Sequence, residues 1–195
     1  MQAEQKDVVE NDTRRWLERA VIGLNLCPFA KSVHVKGQVH FVVSDATDAE
    51  ALREALVTEL QDLVALAPEV RDTTLLVAPQ AFPDFLDFNH FLATADRALA
   101  DLDLQGILQI APFHPRFVFA GTLDDDITNA TNRSPYPTLH LIREASIDRA
   151  VMAFPEAEAI FEVNMATMEK LGPEGWAALD VGPTLAVGEC GKLNP

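Results

Sequence analysis

Three short stretches of this chain hold side chains that could do chemistry: Cys27-Pro28-Phe29-Ala30, Phe113-His114-Pro115-Arg116 and Asn132-Arg133-Ser134-Pro135-Tyr136-Pro137. In the first, proline suits the opening turn of a helix and so places Cys27 at its N-cap. There the helix dipole, aided by Lys31, would lower the thiol pKa and favour the nucleophilic thiolate. The competing reading is a small hydrophobe buried beside Leu26 and Phe29, a common fate of free cysteine. In the second stretch Pro112 and Pro115 stiffen the backbone, which fixes the directions of His114 and Arg116. A fixed histidine can act as acid, base or ligand near neutral pH, and one hydrogen-bonded to its own loop is the structural alternative.

The third stretch gathers an amide, a guanidinium, a hydroxyl and a phenol, and His140 and Arg143 follow it closely. An arginine presents a planar fork suited to carboxylate or phosphate. If residues 138–143 are extended, His140 and Arg143 diverge to opposite faces; if they are helical, the three-residue step brings them together. The binding candidates are therefore Arg116, Asn132, Arg133, Tyr136, His140 and Arg143, with His114 and Cys27 as catalytic candidates.

Other chemistries find less support. Asp124-Asp125-Asp126 lacks the glycine and terminal glutamate of a calcium loop and reads as a solvated turn in which Asp126 caps a short helix. Cys27, His114 and His140 are acceptable zinc or iron ligands by type, yet no C-x-x-C or H-E-x-x-H spacing is present, and no metal ligand is assigned. The glycines form neither a P-loop nor a dinucleotide fingerprint, so no cofactor is identified. His34, His40 and His90 have no companion motif.

The elements that must position these residues follow from periodicity. Apolar side chains from Val9 to Leu24 fall at helical steps, and Pro28 helps to end that helix. Gln38 to Val43 alternates as a first strand. Thr47 to Leu66 carries a leucine stripe behind a Thr47/Glu50 capping box. Thr73 to Ala78 is β-branched and apolar, and stops before Pro79. Asp84 to Leu104 returns to helical spacing, Gly106 breaks it, and Ile107 to Ala111 resumes as a strand. Arg116 to Ala120 is a candidate extended segment, Asp124 to Pro137 has loop chemistry, and Thr138 to Ile142 is again extended. Ser146 suits the cap of a short helix through Ala153, and Pro155 separates it from a helix ending near Leu171.

Alternation of strand and helix predicts an α/β (or α+β) fold with a single mixed sheet of about four to five strands covered by helices. A ferredoxin-like two-layer sandwich is the alternative. The expected layout is a flexible extension over 1–12, one globular domain over 13–171, and a Gly- and Pro-punctuated tail over 172–195 anchored by Trp176.

With 195 residues and 48% apolar content, the chain is long and apolar enough for one core. A formal charge of -15 disfavours nucleic acid and anionic lipid, which are gripped through Lys and Arg. The charge is uneven, since Arg14, Arg15, Arg19, Lys31 and Lys36 face only Glu18 between Thr13 and Val43, and this region is compatible with a local anion site. The sequence contains no membrane-spanning apolar run and no signal-like start, and it reads as cytoplasmic with Cys27 and Cys190 reduced.

Taken together, the Cys27 to Ala30, Phe113 to Gly121 and Asn132 to Glu144 stretches resemble the bacterial domain-of-unknown-function family numbered 1415, over roughly Thr13 to Leu171. That resemblance implies no activity, substrate or site residue. The residues themselves favour a small anionic ligand, bearing carboxylate or phosphate, in a pocket built from the 112–143 segment. Such a pocket requires Cys27, His114, Arg116, Asn132, Arg133 and His140 to converge. A protein-interaction module presenting the Pro112 to Pro137 region is one alternative, and a metal-dependent enzyme with Cys and His ligands is another. The oligomeric state is not readable from the sequence.

Overall fold

The computed structural model describes residues 1–153 and 159–185. Its elements are α1 (Ala3–Trp16), a π-helical segment (Leu17–Ile22), α2 (Ala30–Val35), β1 (Val39–Val43), α3 (Ala49–Ala65), β2 (Thr73–Val77), α4 (Phe85–Asp101), β3 (Leu108–Phe113), a 3₁₀ segment (Ile127–Asn132), β4 (Thr138–Arg143), α5 (Glu144–Ala153) and α6 (Ile160–Ala178). Four strands form one mixed sheet in the order β1-β2-β4-β3, so the fold is α/β. β1 and β2 are parallel, the arrangement that a helical crossover such as α3 permits. β4 enters antiparallel between β2 and β3, with Leu75 opposite His140 and Ala111 opposite the same histidine.

The two faces of the sheet are covered by different helices. On one side the α3 stripe Leu52, Leu56, Leu60 and Leu63 meets Phe88, Phe91, Ala95 and Leu99 of α4 over Leu76, Leu139, Leu141 and Leu108. On the other, Trp16, Leu17, Ala20 and Val21 pack on Leu75, flanked by Trp176 and Leu179. Leu75 and Leu76 are consecutive and serve opposite layers, as strand alternation dictates. Coverage on both faces explains why all five residues of β2 are buried, and it replaces the two-layer alternative with three layers. Each buried leucine contributes about 1.5–3 kcal/mol by leaving water.

Several boundaries differ from the sequence reading for local reasons. Residues 3–12 belong to α1, and Val9 and Asp12 are buried there, so this stretch is part of the packed structure. The carboxylate of Asp12 accepts from the Tyr136 hydroxyl at 2.8 Å, from the Thr184 amide and hydroxyl at 2.7 Å each, and pairs with Arg15 at 2.9 Å. The first helix widens to a π-helix after Trp16, where Gly23 donates to the Glu18 carbonyl at 3.0 Å. A Cβ at Gly23 would lie 2.2 Å from the Arg19 carbonyl oxygen, so only glycine fits.

α3 is capped by Asp48, whose carboxylate accepts from the Ala51 amide at 2.9 Å, in place of Thr47. Asp is the stronger N-cap, and it displaces the Thr47/Glu50 box by one residue. Arg116 to Ala120 forms no strand. α5 starts directly after β4, so Ser146 lies inside the helix and does not cap it. α6 passes Leu171 and runs through Ala178, bending at Gly172 (φ 66°), with Pro173 opening the second part. Pro155 and Cys190 lie outside the described residues. No helix among the described residues is long and apolar enough to cross a membrane.

Candidate functional site

The 112–143 segment does not form one pocket, because β4 carries it from one end of the sheet to the other. His114 follows β3, and residues 132–137 precede β4, at one end. Arg143 closes β4 at the opposite end. His140 lies between, and its position on an extended strand separates it from Arg143, as the strand reading requires.

At the first end the polar groups are spent on holding the loop. His114 is 1% exposed and packs against Phe85 and Phe88 of α4. Its Nδ1 accepts from the Arg116 amide at 3.0 Å, which leaves the proton on Nε2 to be donated to the Phe82 carbonyl at 3.0 Å. Burial lowers its pKa, and the bond to Phe82 opposes this only in part. Arg116 donates to the Pro83 carbonyl and lies 3.4 Å from Asp84. Asn132 donates to the Pro112 carbonyl at 3.2 Å. The guanidinium of Arg133 spans the carbonyls of Phe117 at 3.3 Å and Asp124 at 2.6 Å. Asn129, which sequence patterning left inside a polar loop, is fully buried and accepts from Phe119 N and Thr122 Oγ1 while donating to Leu123 O. Asp126 caps the 3₁₀ segment by accepting from Thr128 N at 2.9 Å.

Tyr136 is fully buried, and its hydroxyl serves Asp12. His140 lies on the Leu75 face, where Thr73 Oγ1 is 2.6 Å from its Nε2 and also donates to the Leu141 carbonyl. The threonine proton is therefore committed, and Nε2 carries the imidazole hydrogen. Burial drives the His140 pKa down to about 4. Arg143 faces the other layer, where its guanidinium caps the end of α3 through the carbonyls of Leu63 and Leu66 and also holds the Arg71 carbonyl. Its Nε is buried without a hydrogen-bond partner among the described residues.

Cys27 packs in the Trp16 and Leu75 layer, on the side of the sheet away from α3 and α4. His114 packs on the α4 side, so the pair expected from sequence sits on different sides of the sheet, with no hydrogen bond between them. The N-cap of α2 is Phe29, two residues beyond Cys27. The amides of Phe29 and Ala30 donate to the sulfur, but burial outweighs them and raises the thiol pKa, opposite to the activated-thiolate reading and in line with the buried-hydrophobe one.

The prominent concavity lies at the other end of the sheet. A cleft of about 510 Å³ opens between α2, the loop before β2, and α5. Its volume falls in the range of small-molecule sites. Phe29, Val33, Pro68 and Ala150 supply apolar wall, and Ser32, Lys36, Gln38, Glu69, Asp72, Ser146 and Arg149 supply polar groups. Ser146 donates to Asp72 at 2.6 Å and accepts from Arg149 at 2.8 Å, while Arg149 stands 3.9 Å from the Asp72 carboxylate. Gln38 donates to the Glu69 carbonyl at 3.1 Å and so fixes the rim. The Lys36 ammonium and the Glu69 carboxylate have no ion-pair partner among the described residues.

Of the residues expected to converge, none lines this cleft; Cys27 is nearest in sequence, through Pro28 and Phe29. The signal that pointed here was the basic stretch from Thr13 to Val43. Within it Arg14 is taken by Glu10 and stacks 4.2 Å from the Phe41 ring centre, and Arg15 and Arg19 hold carbonyls at 179–182, which leaves Lys31 and Lys36, of which Lys36 lines the cleft. Ser146 and Asp72 carried no motif, since 74 positions separate them.

Among the described residues no group of three or more His, Cys, Asp or Glu side chains is placed to hold a metal ion. Comparison with curated proteins and with solved structures returns no match. The family model described as "Protein of unknown function (DUF1415)" matches residues 8–178, nearly the whole described chain, and the protein belongs to that family.

Proposed function

We propose that this protein binds a small molecule bearing a carboxylate or phosphate, and that it does so in the cleft between α2 and α5. The carrying observation is the allocation of cations. The guanidinia of Arg116, Arg133 and Arg143 are used on backbone carbonyls, whereas Lys36 is unpaired at the cleft and Arg149 is 62% exposed beside it. Arg149 offers a fork for two oxygens, and Lys36 a mobile point charge across the opening. Ser32 and Gln38 add hydrogen-bonding groups at the same wall. The anionic ligand anticipated from the arginine-rich segment is thus retained, with its seat moved to the opposite end of the sheet.

The test is thermal unfolding of the wild type and of the Lys36→Met/Arg149→Met double variant with inorganic phosphate, acetate, succinate and 4-aminobutyrate. A ligand at 100 times its Kd stabilises by about 2.7 kcal/mol. At least one probe should raise the wild-type Tm and leave the double variant unmoved. Equal shifts in both proteins, or no shift in either, contradicts the proposal.

A further inference from the structure

The cleft carries both signs of charge, and this restricts the ligand further. Two cations, Lys36 and Arg149, face two carboxylates, Glu69 and Asp72, so the formal charge of the lining sums to zero. A ligand with only negative charge would gain at the cations and lose at the carboxylates. It would also approach a chain of net charge -15, whose field opposes anions at distances within a Debye length. Asp72 accepts a hydrogen bond from Ser146 at 2.6 Å and lies 3.9 Å from Arg149, whereas Glu69 has no ion-pair partner among the described residues and its backbone is held in place by Gln38. Lys36, the C-cap residue of α2, is the matching cation without an ion-pair partner among the described residues.

We infer that the ligand is a zwitterion: a small molecule with a carboxylate or phosphate for Lys36 and Arg149, a protonated amine for Glu69, and a short apolar spacer against Phe29, Val33 and Pro68. This rests on the cleft being the binding site, as proposed above. With a carboxylate the zwitterion has no net charge for the acidic surface to repel, with a phosphate its amine offsets part of the charge, and in both it meets each unpaired group with its opposite. The arrangement also selects by loss, since a ligand lacking the amine leaves Glu69 facing an anion. The apolar lining adds affinity in proportion to the spacer it covers.

Isothermal titration of the full chain with glycine, 4-aminobutyrate and 6-aminohexanoate, set beside acetate, butyrate, hexanoate and butylamine, reads this directly. At least one amino acid should bind about 10-fold or more tightly than its matched carboxylate, a margin of 1.4 kcal/mol. Glu69→Gln should bring that amino acid down to the level of the carboxylate while leaving carboxylate binding no weaker. Carboxylates binding as tightly as the amino acids, with binding still lost in Lys36→Met, would overturn the zwitterion inference and leave the anion site standing. Failure of every probe, together with no Tm shift from inorganic phosphate, would overturn both. Circular dichroism of Glu69→Gln, an exposed position, keeps loss of fold separate from loss of binding.

Discussion

Ser146 on α5 donates its hydroxyl hydrogen to Asp72, the residue before β2, across 2.6 Å, and this bond ties the last strand's helix to the central strand at the wall of the cleft. The side chain of Asp72 is 10% exposed, so its carboxylate depends on that donor and on Arg149. Ser146→Ala should cost about 1–3 kcal/mol in urea unfolding, the range for losing a hydrogen bond to a charged group. A cost below a few tenths would mean that water replaces the hydroxyl freely.

Asp12 joins α1 to two distant parts of the chain, Tyr136 and Thr184, from a buried position, and its loss strands all of its donors. Asp12→Ala should destabilise by about 3 kcal/mol or more. Tyr136→Phe removes one donor and keeps the packing, so it should cost about 1–3 kcal/mol. Measured by denaturant titration, equal effects from the two variants would refute the reading of Asp12 as the shared acceptor.

His140 makes stability depend on pH. Its folded pKa lies near 4, below the ordinary 6.5, so the unfolded chain takes up the proton first as pH falls. The contribution is fully present above pH 6.5 and is lost between there and about 4. For one proton it amounts to ~3 kcal/mol at most. His140→Gln should flatten the stability profile in that window. Part of the slope should persist, because burial lowers His114 in the same direction.

Cys27 should be a slow thiol. Burial raises its pKa, and the wall formed by the Trp16 layer limits access. Alkylation by iodoacetamide at pH 8, followed by peptide mass mapping to separate Cys27 from Cys190, should run about 10-fold or more slower than in the urea-unfolded chain. Equal rates would restore the activated-thiolate reading.

The sheet and its helices were legible because their signals are local. The leucine stripe of α3, the β-branched run at Thr73 and the alternation around Phe41 each reflect one buried face. The site was less legible because a guanidinium's partner is set by tertiary placement. Arg133 and Arg143 looked like ligand forks, yet each meets carbonyls left open by a loop or a helix end. His114 directly follows β3, but both its ring nitrogens are engaged by backbone groups. The cleft joins residues 32, 36, 69, 72, 146 and 149, which no sequence window contains.

The most direct test of the central claim is amide chemical-shift mapping of the ¹⁵N-labelled full chain during titration with 4-aminobutyrate and, separately, inorganic phosphate. Binding in the cleft predicts saturable shifts at Ser32, Lys36, Gln38, Ser146 and Arg149. Shifts centred instead on His114, Arg116, Asn132 and Arg133, with the α2 and α5 amides unmoved, would contradict it.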